Sequence, residues 1–140
     1  MPHVFTLSAL HLADVPVNND GFEPEDLFPS DHLTRNLATG YVAQSLAAMG
    51  YDADTVALGG DLTAFNIVAE KTGVLYPDEY ILVGCHHDAF YGAADDNSSG
   101  VAAMLEIARA VEKFDFAYTI RFVSFDLEEF GAIGSTRYYE

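Results

Sequence analysis

The sequence predicts an α/β sandwich built around a mixed sheet, and three observations predict it. Tyr80-Ile81-Leu82-Val83-Gly84-Cys85 is a continuous apolar run that suits a strand buried on both faces. Thr119–Phe125 is a second strand-like run, rich in β-branched and aromatic residues. Between them, Ser98–Phe114 sets Val101, Met104, Leu105, Ala108 and Val111 on one helical stripe. That helix is long enough to serve as the crossover of a parallel pair.

The other elements follow in chain order. Residues 1–29 form a leading arm, punctuated by Asn18-Asn19-Asp20-Gly21 and Pro24, and residues 30–140 form one domain. Ser30 or Asp31 can cap a helix carrying Leu33, Leu37, Tyr41, Val42, Leu46 and Met49, and Gly50 stops it. Thr55–Leu58 and Phe65–Glu70 are short strands separated by Gly59-Gly60-Asp61. Tyr76-Pro77-Asp78-Glu79 reads as a turn ahead of the apolar run, and Gly134-Ser135 opens a last helix. Helix, strand, strand, strand, helix, strand, helix is the order of an α/β domain.

Composition excludes several classes of function. Half of the 140 residues are hydrophobic, which is a packing composition and not a disordered one. Six Lys and Arg stand against 22 Asp and Glu, a formal net charge of −16 that repels phosphate backbones and argues against nucleic-acid binding. No apolar run approaches the roughly 20 residues of a membrane span, and Met1–Val17 lacks the basic start of a signal peptide. Such acidity suits adaptation to salt, solubilisation by charge, or carboxylates gathered to hold cations. Cys85 is the sole cysteine, so an internal disulfide is excluded.

Chemistry collects where open α/β sheets place it, beyond the carboxyl ends of strands. His86-His87-Asp88 follows the first apolar run, and Asp126, Glu128 and Glu129 follow the second. Asp95-Asp96-Asn97 lies on the loop leading into the intervening helix, so neighbouring strands would bring all three clusters to one crevice. Imidazole and carboxylate donors suit a divalent metal. Asp88, two residues from His86, can accept the free ring N–H of a ligating imidazole. Asp96 at a helix start is favoured by unpaired N–H groups, and one of Glu128 and Glu129 can ligate while the other takes a proton. Singly, each cluster also fits a solvated loop edge or a capped helix start; the joint placement favours a site.

The same residues carry a resemblance. Gly84-Cys85-His86-His87-Asp88, then Ala94-Asp95-Asp96-Asn97-Ser98-Ser99-Gly100, then Glu128-Glu129-Phe130-Gly131-Ala132-Ile133-Gly134-Ser135, resemble the M28 zinc aminopeptidases in order and spacing. Thr119-Ile120-Arg121-Phe122 before the acidic pair, Gly50-Tyr51 and Phe65–Glu70 also fit that pattern, which covers roughly Asp31 to Glu140. The resemblance implies a three-layer zinc-exopeptidase-like sandwich whose sheet is mixed and mostly parallel. It implies two zinc ions, replaceable by other divalent metals, with His86 on one zinc, Asp88 behind it, Asp96 bridging and Glu129 on the other zinc. Glu128 would be the general base, with catalysis assigned to Glu128 and Asp88. His87 falls at a variable position and Cys85 where a small residue is usual; a neighbour's place and a packing role follow.

The implied activity is hydrolysis of peptide bonds at free N-termini, with peptides or proteins as substrates. An extracellular or periplasmic place is what the family favours. The family pattern needs a further Asp and His, one for each zinc, and Glu140 precedes both; His3, His11 and His32 match neither. The expectation is therefore an N-terminal part of a peptidase domain, inactive alone and prone to associate without the rest of its sheet. The alternatives are an M20-type metallopeptidase, a glutaminyl-cyclase-like enzyme, and a non-catalytic binding module on the same fold. The short interval between His86 and Asp96 fits M28 better than M20.

Overall fold

A computed structural model describes residues 33–60, 62–89 and 94–140, with side chains from Leu37 onward. The arm expected over residues 1–29 lies outside these, as do the capping residues Ser30 and Asp31. Helix α1 spans Leu33–Ala48, strand β1 Ala53–Ala57, β2 Phe65–Lys71 and β3 Tyr76–His86. A kinked helical turn, Ala94–Ser99, leads into α2 at Gly100–Val111; β4 spans Tyr118–Phe125 and α3 Ile133–Tyr139.

The strands order as β1-β2-β4-β3. The β1–β2 and β2–β4 pairs are antiparallel and the β3–β4 pair is parallel. The sheet is mixed, as the sequence predicts; among the described strands, however, antiparallel pairing outweighs parallel. The reason is local: β1 and β2 are joined by a short connection that only an antiparallel pair tolerates, whereas α2 carries the chain back for a parallel β4.

Side chains alternate across the sheet, and the two faces meet different layers. Ile67, Ala69, Cys85, Ile120 and Phe122 pack under Ala38, Val42 and Leu46 of α1 and Val101, Met104, Leu105 and Ala108 of α2. On the opposite face, Arg121 Nη1 donates to the Tyr138 hydroxyl at 3.0 Å and Phe125 meets the Tyr138 ring edge to face. Helices on both faces give the three layers. Fully burying side chains such as Phe122, Leu46 and Leu105 contributes about 1.5–3 kcal/mol each.

The end of α1 shows how closely sequence dictates backbone. Gly50 has φ 91°, and its N–H bonds Ala47 O at 2.9 Å while Tyr51 N–H reaches Leu46 O at 3.2 Å. That double bond pattern needs a left-handed residue, which glycine adopts without a Cβ clash. Tyr51 then donates from its hydroxyl to Ala108 O at 2.7 Å, tying the end of α1 to α2.

Three local expectations are corrected. Tyr76-Pro77-Asp78-Glu79 is not a turn but the irregular start of β3, where pairing slips from Tyr76↔Tyr118 to Tyr80↔Thr119. The apolar run is not buried on both faces: Ile81 is 57% exposed, because β3 has one neighbour among the described strands. Leu37 is likewise exposed, since the buried stripe of α1 runs through Ala38, Val42 and Leu46.

Gly73, between β2 and β3, is fixed by space. A Cβ there would lie 2.4 Å from the Tyr118 carbonyl carbon and 2.6 Å from both Ala117 O and Thr119 N, all backbone atoms. Gly73→Ala is expected to destabilise the intact protein by about 1–3 kcal/mol. An unchanged thermal midpoint would contradict that packing.

Candidate metal centre

The parallel pairing of β3 and β4 ends with His86 opposite Phe125, so both strands stop at the same height. The last residue of β3 is His86 and the chain after it supplies Asp88; the chain after β4 supplies Glu128 and Glu129. His87 N–H bonds Phe125 O at 3.0 Å and continues the pairing one residue past the strands. The two strands are therefore neighbours, the condition under which the sequence brings its clusters to one crevice.

Alternation at the end of β3 separates its polar residues. His86 faces the acidic residues, with Nε2 3.0 Å from Asp96 Oδ1 and 3.8 Å from Glu128 Oε2. His87 points into the core, its Nδ1 3.0 Å from Ser124 Oγ and its Nε2 3.0 Å from Thr39 Oγ1. It pins β3 to β4 and α1 from the core side of the sheet.

Asp88 is 2% exposed and organises the centre. Its Oδ1 accepts the Glu128 N–H at 3.0 Å and its Oδ2 the Glu129 N–H at 3.1 Å. The His86 Nδ1 lies 3.1 Å from Asp88 O and 3.5 Å from its carboxylate, so the backbone carbonyl is the nearer acceptor for the ring N–H. Burial works against the imidazolium, but the Asp88 carboxylate and carbonyl and the Glu128 charge outweigh it, and His86 is pushed up to about 9. Burial likewise opposes the Asp88 carboxylate, yet the bonds from His86 and the Glu128 and Glu129 N–H groups hold it below its usual range.

Asp96 sits in the kinked turn with φ −110° and ψ 94°, outside helical geometry, and its peptide with Asn97 is cis. Asn97 Oδ1 accepts the Gly100 N–H at 3.1 Å and so caps α2. The helix cap is Asn97, which leaves the 73%-exposed Asp96 carboxylate directed at His86 and open to solvent.

The loop bearing Glu128 and Glu129 is anchored by apolar residues. Leu127 is buried with Leu58 and Ala64, and Phe130 and Ile133 pack against them. Leu127 and Ala132 both adopt left-handed backbone, φ 57° and 58°. The loop's carbonyls are bonded back on themselves, Ala132 N–H to Glu128 O at 2.8 Å and Ile133 N–H to Leu127 O at 3.0 Å. Arg137 on α3 donates to Leu58 O and Gly59 O, holding the cluster from the far side.

His86, Asp96 and Glu129 each present one donor atom, and the three atoms lie within 4.8 Å of one another. One imidazole nitrogen and two carboxylate oxygens are a donor set for zinc. Residues 66–140, more than half of the chain, match the sequence pattern of peptidase family M28. The chain belongs to that family. It is 43% identical over 82 residues to a glutamate carboxypeptidase 2 homolog of Caenorhabditis briggsae, covering 54% of this chain and 10% of that protein. It is also similar to BSAP, a zinc aminopeptidase from Bacillus subtilis, at 35% identity and TM-score 0.50 over 53% of this chain and 19% of that one. LapB from Legionella pneumophila shares the fold, with TM-score 0.72 at 23% identity over 98% of this chain and 37% of that one. The chain thus spans about a tenth of the length of the curated relative. M28 membership makes zinc the implied metal.

Two groups at this M28 centre had no assigned role in the sequence. Asn66, 2% exposed on β2, and Asp126, 1% exposed after β4, are joined to each other and to the Glu128 loop. The acidity of Asp126 beside Glu128 and Glu129 was the available signal for one; an asparagine inside a strand gave none for the other.

Proposed function

We propose that this chain carries the first part of a dinuclear zinc site that hydrolyses peptide bonds at free N-termini. The observation that carries the proposal is the convergence of His86, Asp96 and Glu129 beside Glu128. His86 would hold one zinc and Glu129 the other, with Asp96 shared by both. The donor types and their mutual approach fit such a centre. Zinc, when bound, would polarise the scissile carbonyl and make the attacking water more acidic.

The chain's own residues supply the rest. Glu128 takes the proton of the attacking water on its carboxylate and returns it to the departing amine. Asp88 orients both carboxylate-bearing residues through their N–H groups and fixes which face His86 presents. The exposure of Asp96 and Glu128 leaves the centre reachable by substrate.

The deciding assay uses the intact protein with aminoacyl p-nitroanilides, N-blocked analogues of the same compounds, and an N-blocked peptide ending in glutamate. Chelator-sensitive cleavage confined to the free N-terminus supports the proposal. The kinship with glutamate carboxypeptidase homologs favours a second reading, action at a C-terminal residue. Cleavage of the N-blocked glutamate peptide alone would establish that reading and end the first. Asp96→Asn tests the bridging role separately: zinc content should fall before any change in fold, since a neutral amide is a poor bridging ligand. Full zinc content in that variant would remove Asp96 from the centre.

A further inference from the structure

We infer that Asn66 is a positioning residue for Glu128 and Glu129, a brace that closes both mouths of the loop carrying them. This rests on the roles proposed above for those two glutamates. The loop leaves β4 at Asp126 and re-enters regular structure in the first turn of α3, at Ile133 and Gly134. One carboxamide touches both points: Asn66 Oδ1 accepts the Asp126 N–H at 3.0 Å, and Asn66 Nδ2 donates to Gly134 O at 2.9 Å. Asp126 returns the connection, its Oδ2 accepting the N–H of Phe65 at 3.0 Å and its Oδ1 that of Leu127 at 2.9 Å. The start of β2 is thereby tied to Asp126 and Gly134, one residue at each end of the loop. Gly134 N–H also bonds Asp126 O at 3.0 Å, closing the mouth directly.

The residue types are those the arrangement requires. A carboxamide offers a donor and an acceptor side by side, and each faces its complement. A carboxylate at position 66 would keep the acceptor, lose the donor to Gly134 O, and add a charge near Asp126. Glycine at 134 is needed because a Cβ would meet Asp126 O at 2.2 Å and Asn66 Oδ1 at 2.6 Å. Asn66 is almost fully buried, so its bonds do not exchange readily with water. The left-handed Leu127, immediately before Glu128, is held in place by the Asp126 carboxylate. Asp88 fixes the N–H groups of the two glutamates from one side; Asn66 fixes the path by which the chain reaches and leaves them.

The test compares Asn66→Asp with Gly73→Ala in the intact protein, the latter destabilising the sheet away from the loop. Asn66→Asp is expected to lower kcat about ten- to a hundredfold with KM within about twofold, as small misplacements of catalytic groups do. Gly73→Ala should keep kcat at a comparable loss of thermal stability. In metal-free protein, the Glu128 and Glu129 amides of Asn66→Asp should exchange roughly tenfold faster while those of 119–124 stay protected. Asn66→Ser, small enough to admit a water, gives the same comparison if the aspartate variant does not fold. Unchanged amide protection, or a kcat loss that Gly73→Ala reproduces, would overturn the inference. Should Glu128→Gln retain turnover, the base assignment falls, and amide exchange still decides the brace.

Discussion

In the intact, zinc-loaded protein, Glu128→Gln should lower kcat by about 10²–10⁴-fold, the span general-base catalysis supplies. The substitution changes one oxygen to an amide nitrogen and leaves the side chain's volume nearly constant. Its N–H still has Asp88 Oδ1 to bond at 3.0 Å, so the loop keeps its course. His86, Asp96 and Glu129 are untouched, and zinc stoichiometry should match the parent protein. What is lost is a basic oxygen, which a glutamine amide does not replace. Metal analysis beside steady-state kinetics checks both halves. Parallel loss of zinc and activity would make Glu128 a ligand and end its assignment as base.

Asp88→Asn should weaken zinc binding by about 10–100-fold, the range found when a partner behind a metal ligand is removed. The parent carboxylate accepts two backbone N–H groups, one per oxygen. An asparagine retains one acceptor and turns an NH₂ toward the other N–H, so one buried donor loses its partner. Leaving such a group unpaired costs about 1–3 kcal/mol. The negative charge facing His86 also disappears, and with it part of the imidazole's electron-donating strength. Competition with a zinc indicator and thermal unfolding of the metal-free form measure the two effects. Parent-like zinc affinity would show that Asp88 shapes the loop without tuning the metal.

Much of this centre was legible because chemistry and position coincide in sequence. His86, Asp88, Glu128 and Glu129 follow two runs whose β-branched and aromatic residues announce strands, and the crossover helix between them forces those strands to point the same way. Strand alternation explains His87: two-residue periodicity places it opposite His86 and Asp88, where Ser124 and Thr39 receive it. Gly50 was equally plain, since a glycine closing a helical stripe signals a left-handed residue. Other features depend on partners far away in sequence. Asn66 meets Asp126 and Gly134, 60 and 68 residues distant, and nothing in its own neighbourhood marks it. Pro77 and Asp78 suggested a turn, yet an edge strand tolerates both where the ladder slips between Tyr76 and Tyr80. The exposure of Ile81 depends on which strands lie beside β3, a fact of the sheet's order and not of the run itself.

The flush ending of β3 and β4 also constrains how the molecule assembles over time. His86 and Glu128 stand 42 positions apart in the chain, and parallel pairing cannot begin from a tight hairpin. Loop closure across α2 must come before either half of the centre sees the other, and such long-range pairing is slow. A nascent chain therefore exposes scattered carboxylates, each a weak competitor for cations, until the crossover docks. With the proposed centre, selective capture of metal would be a late event in maturation, and its onset a clock for the formation of the parallel pair.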